Sequence, residues 1–171
     1  MIVKIDLESV GTSPKPLELR LGADEIDLDE QGKPIDGVAF LGETFRDGPK
    51  VHLRGKISAE LETVCTRCLE PVARHFDIAF DDVFVDASEE PTADEIELAA
   101  DDLDESLVIG GSVDLADIVR EQIILEMPAA ILCRDDCKGL CEKCGMNRNL
   151  VDCSCARDEI DPRWAALKNL N

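Results

Sequence analysis

The chain is poor in three things, and each shortage narrows what it can be. Basic residues are few: 18 Lys and Arg stand against 38 Asp and Glu, a formal net charge of −20. Nucleic-acid binders draw much of their affinity from cations that neutralise phosphates and release counterions. The chain taken whole is therefore repelled by a polyanion and favours basic partners. Aromatics are scarce, with five Phe, one Trp and no Tyr. The single Trp, Trp164, is expected to anchor a core rather than stack on a base. Long apolar runs are missing as well. No stretch approaches the roughly 18 residues that would span a membrane, and the opening MIVKIDLESV lacks a basic segment followed by an apolar one, so no signal peptide is expected. The expected compartment is the cytoplasm, where thiols stay reduced and paired cysteines serve as metal ligands or redox groups rather than staples.

Catalytic signatures are also lacking. There is no Walker loop, no GxGxxG fingerprint and no GxSxG elbow. The carboxylates are spread as on a solvated surface, and nothing in the pattern points to an enzyme. What the chain does have is enough length and apolar content, 171 residues and 44% hydrophobic, for one ordinary domain or a domain with a small appendage.

The first half reads as strands. Leu17, Leu19 and Leu21 alternate with polar residues. In VHLRGKISAELET, the residues Val51, Leu53, Ile57, Ala59 and Leu61 fall on one face with Gly55 in phase, and His52, Arg54, Lys56, Ser58, Glu60 and Glu62 fall on the other. That period of two predicts a long antiparallel strand with one wet face. Phe76, Ile78 and Phe80 continue the pattern after CTRCLEP, then Val83 and Val85 take the opposite parity. The slip predicts a β-bulge at Asp81–Asp82. Two long strands flanking CTRCLEP predict a hairpin with the cysteine pair at its turn, ended by Pro71. From His75 to Val119 there are fifteen Asp or Glu and no Lys or Arg, with an acidic loop at about 86–106. A helix follows, capped by Ser112 or Asp114, with Asp117 near its positive end and Leu115, Ile118, Val119, Ile123 and Leu125 as its apolar side; Pro128 ends it. A short last helix starts at Asp161–Pro162 and buries Trp164, Leu167 and Leu170.

The fold class predicted is α+β. An N-terminal antiparallel sheet curls toward a barrel, one helix covers it, and a Cys-rich metal-binding segment with a short terminal helix closes the end. Residues 1–111 form the β-rich body and 112–171 the remainder, in one compact unit.

Eight cysteines are present: Cys65 and Cys68, Cys133 and Cys137, Cys141 and Cys144, Cys153 and Cys155. The spacings are CxxC, CxxxC, CxxC and CxC. A tight CxxC turn aims both thiolates at one ion while backbone N–H groups stabilise the sulfur charge, and two pairs complete a tetrahedral site. The glycine after CEKC suits the turn, because it tolerates a positive φ. By count there are two four-cysteine sites. By locality Cys141, Cys144, Cys153 and Cys155 close one, and Cys65 and Cys68 join Cys133 and Cys137. A single site with free cysteines, or exchanged pairs, remains open at this stage. Zinc is favoured for thiolate-only ligation, although iron takes the same ligands. A thioredoxin-like redox pair at Cys65–Cys68 is disfavoured between strands, since that chemistry uses a helix N-terminus. His52 and His75 sit at polar strand positions and are expected to be exposed rather than ligating.

CTRCLEP (65–71), IILEMP (123–128), CRDDCKGLCEKCGMNRN (133–149), CSC (153–155) and DPRWAALKNL (161–170) together resemble the YceD family. The family's cysteine motifs match all eight cysteines one for one, and Arg67 and Lys138–Gly139 also fit. The resemblance implies a bacterial or plastid cytoplasmic factor linked to accumulation or processing of large-subunit ribosomal RNA, without an established catalytic residue. Residues 120–171 carry eight Lys or Arg against nine Asp or Glu, so this end is nearly neutral. Arg134, Lys138, Lys143 and Arg148 are the candidate RNA or partner contacts there. The acidic body is expected to face a basic ribosomal protein or assembly factor in preference to bare RNA, with no membrane involved. The competing expectation is a metal- or redox-responsive regulator using its CxxC pairs.

Overall fold

The structure, a computed structural model, describes residues 3–87, 104–155 and 163. The middle of the acidic loop and the expected terminal helix with Trp164, Leu167 and Leu170 lie outside the described residues. Seven strands and one α-helix, with two short 3-10 turns at Leu7–Ser9 and Asp29–Gln31, build the described part: β1 (Lys4–Asp6), β2 (Lys15–Leu21), β3 (Lys33–Asp47), β4 (Lys50–Val64), β5 (Pro71–Asp86), β6 (Glu105–Val108), β7 (Ser112–Asp114) and α1 (Leu115–Glu126). No helix among the described residues is long and apolar enough to cross a membrane.

The alternation read from the sequence becomes a five-stranded sheet in the order β2-β3-β4-β5-β6. Strands β2 to β5 are antiparallel neighbours, whereas β6 runs parallel to β5. A parallel neighbour needs a crossover connection rather than a tight hairpin, and residues 87–104 between β5 and β6 supply that length. The sheet is open, with β2 and β6 at its edges, so the expected curl does not reach a barrel. A separate two-stranded pairing of β1 with β7 ties the N-terminus to the entry of α1.

One face of the sheet carries the core. Leu53, Ile57 and Leu61 of β4 are buried alongside Phe40 of β3 and Leu19 and Leu21 of β2. Gly42 and Gly55 face each other across β3 and β4, and a Cβ on either would come within 2.5 Å of the Phe40 ring. The missing side chains make room for that ring, which lies 5.6 Å from the ring of Phe80. Helix α1 lays Leu115, Ile118, Val119 and Ile123 into the same core. Its N-cap is Asp114, whose carboxylate accepts from the Ala116 N–H at 2.9 Å, and Ser112 belongs to β7. Leu125 does not join the apolar side and is 77% exposed. At 100° per residue it lies about 200° around the helix from Ile123.

The predicted bulge is absent. Strands β4 and β5 pair without a break, with Arg54 opposite Asp81, Leu53 opposite Asp82 and Val51 opposite Phe84. The apparent slip has a different cause. Asp82 is a carboxylate on the core-facing side, between Phe80 and Phe84, and both of its oxygens accept from Gln122 Nε2 of α1 at 3.0 and 3.2 Å. The ladder's irregularity falls instead on β3, between Pro34 and Val38.

Candidate metal centres

The β4–β5 hairpin is in register up to Val64 and Pro71. Its turn holds Cys65 and Cys68 at the end of the sheet. The Leu69 N–H donates to the Cys65 carbonyl at 2.9 Å, and the Cys65 N–H donates to the Glu70 carbonyl at 2.9 Å. The CEKC turn repeats this. Gly145 N–H donates to the Cys141 carbonyl and Cys141 N–H to the Met146 carbonyl, both at 2.8 Å. In each knuckle the residue after the second cysteine has a positive φ, 61° at Leu69 and 71° at Gly145. Glycine fits that geometry without strain; leucine does not.

The remaining cysteines arrive on the chain after α1. The Thr66 N–H bonds the Ile131 carbonyl at 2.8 Å, Arg74 bonds the Leu132 carbonyl at 2.9 Å, and Arg67 bonds the Cys137 carbonyl at 3.0 Å. These bonds lay Cys133 and Cys137 over the hairpin turn. Cys65 Sγ then lies 3.8 Å from Cys137 Sγ, and Cys68 Sγ 3.6 Å from Cys133 Sγ. The structure gathers the eight cysteines into two groups, Cys65/Cys68/Cys133/Cys137 and Cys141/Cys144/Cys153/Cys155, whose sulfurs lie within 4.8 Å of one another in each group. Of the pairings left open by spacing, this is the one that locality favoured. The groups are joined directly: the Leu140 N–H donates to the Arg67 carbonyl at 3.0 Å, and Asn147 donates to Glu70 at 3.1 Å. Gly139 (φ 70°) allows this approach, since a Cβ there would sit 3.0 Å from the Arg67 carbonyl oxygen.

The chemistry of the sulfurs fits a cation. Burial pushes the Cys65 thiol up, but the N–H groups of Cys133, Cys68 and Arg67 outweigh it and leave it at about 6. N–H groups of Cys144 and Lys143 hold Cys141 at about 6. Within the same groups Cys133 is pushed up to about 12, by burial and then by its neighbours' sulfurs, and Cys155 to about 12 by Cys144 and Cys141. Each group thus combines a readily ionised thiol with one that resists ionisation beside it. Four thiolates at this spacing ionise together only with a cation between them. A borderline-soft d10 ion in tetrahedral thiolate coordination suits both groups.

Asn149 is a residue the motif spacing did not single out. Its amide donates to Cys137 Sγ at 3.2 Å and to Asn147 at 2.9 Å, and its carbonyl accepts from the Lys138 N–H and from Arg134, both at 2.8 Å. It therefore holds Cys137 of the first group from the loop that carries the second. The available signal was the pair of turn-forming Asn residues in MNRN. Arg134, expected as an outward contact, bonds Asn149 and lies 3.4 Å from Asp136. Lys138, Lys143 and Arg148 are exposed. Neither His lies in a cysteine group; His75 is exposed as expected, whereas His52 is half-buried. His52 stacks on Phe45 at 4.7 Å, and His75 lies 3.1 Å from Asp77.

The sequence profile of the family described as large ribosomal RNA subunit accumulation protein YceD matches residues 53–171. The chain belongs to this family. The YceD match takes in all eight cysteines and both knuckles. An uncharacterised protein of Mycobacterium tuberculosis is 31% identical over 150 residues, 86% of this chain and 67% of that protein. YlbN of Bacillus subtilis is 28% identical over 145 residues, 84% of this chain and 79% of that protein. A chloroplastic protein of Arabidopsis thaliana named large ribosomal RNA subunit accumulation protein YCED homolog 1 is 38% identical over 58 residues, 34% of this chain and 18% of that protein. No solved structure matches the chain.

Proposed function

We propose that this chain is a non-enzymatic ribosome-biogenesis factor in the cytoplasm. It supports accumulation or processing of large-subunit ribosomal RNA through a basic protein partner, with a structural zinc ion in each cysteine group. The family match over residues 53–171 carries the reading. A four-thiolate site saturates a tetrahedral ion and leaves no position for a hydrolytic water, so the ions act on shape rather than on a reaction. The net charge of −20 favours a basic protein over bare RNA. If RNA is touched, Arg134, Lys138, Lys143 and Arg148 are the residues to touch it.

The test is deletion of the gene in its host. The ratio of large- to small-subunit ribosomal RNA falls and returns with the native chain; an unchanged ratio sinks the reading. Crosslinking from the acidic body recovers a basic ribosomal protein or assembly factor, and recovery of ribosomal RNA alone would replace that partner. A second reading, a metal- or redox-responsive regulator, is favoured by the exposure of Cys144 and Cys155. Ready reaction of Cys65 or Cys68 in the native protein without metal loss would select its redox form.

A further inference from the structure

The two cysteine groups meet solvent differently. In the inner group Cys65, Cys68 and Cys137 are 0, 3 and 3% exposed and pack with Val72, Leu132 and Leu140 in a small core of their own. Only Cys133 opens to water there. In the outer group Cys144 and Cys155 are exposed and Cys141 and Cys153 half-buried. The supports differ too. Two inner ligands sit in the turn between strands of fifteen and sixteen residues. Two outer ligands sit on residues 151–155, which form no helix, strand or turn.

We propose that the outer site, Cys141/Cys144/Cys153/Cys155, is an exchange site. It gives up and takes back a borderline-soft d10 dication while the inner site keeps its own and the sheet stays folded. The inference rests on the reading that both groups hold an ion. Exchange at a filled tetrahedral site needs an incoming donor to reach the ion or a bound thiolate to swing away from it, so access and ligand mobility govern it. At the outer site a thiolate or chelator donates an electron pair to the ion, and Cys144 or Cys155 departs as a thiolate that takes a proton from water. No electron transfer is involved. At the inner site Val72, Leu132 and Leu140 cover the Cys65, Cys68 and Cys137 side and leave only the Cys133 side open to that approach, and the hairpin restrains Cys65 and Cys68 from swinging away. The exchange partner is a thiolate donor, either a small cytosolic thiol or a cysteine pair on another protein.

The experiment uses the full chain loaded with zinc, its stoichiometry measured first. It is then challenged with EDTA in the presence of N-ethylmaleimide, and the alkylated cysteines are mapped. One of the two ions is lost, label appears on Cys141, Cys144, Cys153 and Cys155, and the far-ultraviolet dichroism of the sheet is unchanged. The second ion leaves only with denaturant. A Cys144→Ser/Cys155→Ser chain holds one ion that resists EDTA and keeps the parent's dichroism. Loss of both ions in one step overturns the proposal, as does label on Cys65, Cys68 or Cys137 ahead of the outer four. A chain that loads fewer than two ions overturns it through the two-site reading, and the initial stoichiometry separates that failure from the others.

Discussion

Both knuckles close on the same pair of backbone hydrogen bonds, yet one stands on two long strands and the other on a loop. The inner knuckle tolerates a leucine at φ 61°, where the outer has glycine at φ 71°. A left-handed L-residue costs about 1–2 kcal/mol, and the inner turn can hold one because the β4–β5 ladder fixes its ends. The outer turn has only the single antiparallel bridge of Leu140 with Asn147 beneath it, against fourteen paired positions under the inner one, and it uses glycine. A metal-binding turn is therefore only as rigid as what anchors it, and identical turn chemistry can give one fixed site and one loose one.

The largest test of this contrast is Cys65→Ser. Removing a buried ligand costs the inner site its ion and the cross-link from the hairpin turn to Cys133 and Cys137, and a loss on the order of a few kcal/mol is expected in urea denaturation, with one ion missing by elemental analysis. Cys153→Ser should lose an ion as well but leave the sheet's unfolding midpoint close to the parent's. Equal losses would erase the distinction between the sites. Next comes Asn149→Ala. Partners that orient a ligand are worth about 10–100-fold in metal affinity, so the inner site weakens by that factor in competition titrations although the substitution lies in the outer loop. Gly145→Ala follows, with about 1–2 kcal/mol of strain falling on the outer turn. Leu69→Gly relieves strain at the inner turn, an effect offset by glycine's greater freedom when unfolded. The outer site's metal affinity should fall in the first variant and the inner site's stay unchanged in the second.

The smallest effect lies outside both sites. Burial raises the Asp82 carboxyl above its usual range, with Asp81 and Glu121 adding to the rise and Gln122 opposing it. A raised folded pKa means that the contribution to stability is present below the ordinary carboxylate range and is lost as pH rises through the folded value. Asp82→Asn keeps a hydrogen-bonding partner for Gln122 and removes the charge. It should flatten the part of the stability–pH curve just above the ordinary carboxylate range and leave the variant slightly more stable at neutral pH, as read by denaturation in acid and at neutrality.

Much of this architecture was legible in the residues. Strand β4 shows its two faces over more than ten positions, the hairpin follows from the strands on either side of CTRCLEP, and the short reach from Cys141 to Cys155 favoured the pairing. The misreadings have physical causes. A single inward-facing aspartate mimicked a phase slip, because alternation counts apolar side chains and cannot register a carboxylate satisfied by a helix. Leu125 was assigned by its type rather than its angle. Strands β1, β6 and β7 are three or four residues long, too short for a period to show. Leu69 gave no sign of its left-handed backbone, since that conformation is imposed by the hairpin around it.

The Asp82–Gln122 pair bears on uniqueness more than on strength. Because side chains alternate along a strand, a one-residue slip of β5 would carry Asp82 to the opposite face and leave Gln122 facing a different residue. A rotation of α1 about its axis would break the same bond. Aliphatic contacts between helix and sheet accept many near-equivalent arrangements, whereas this amide–carboxylate contact accepts one. It works as a key for alignment: it fixes which rotation of the helix goes with which register of the strand, and β5 begins directly after the turn that carries Cys65 and Cys68.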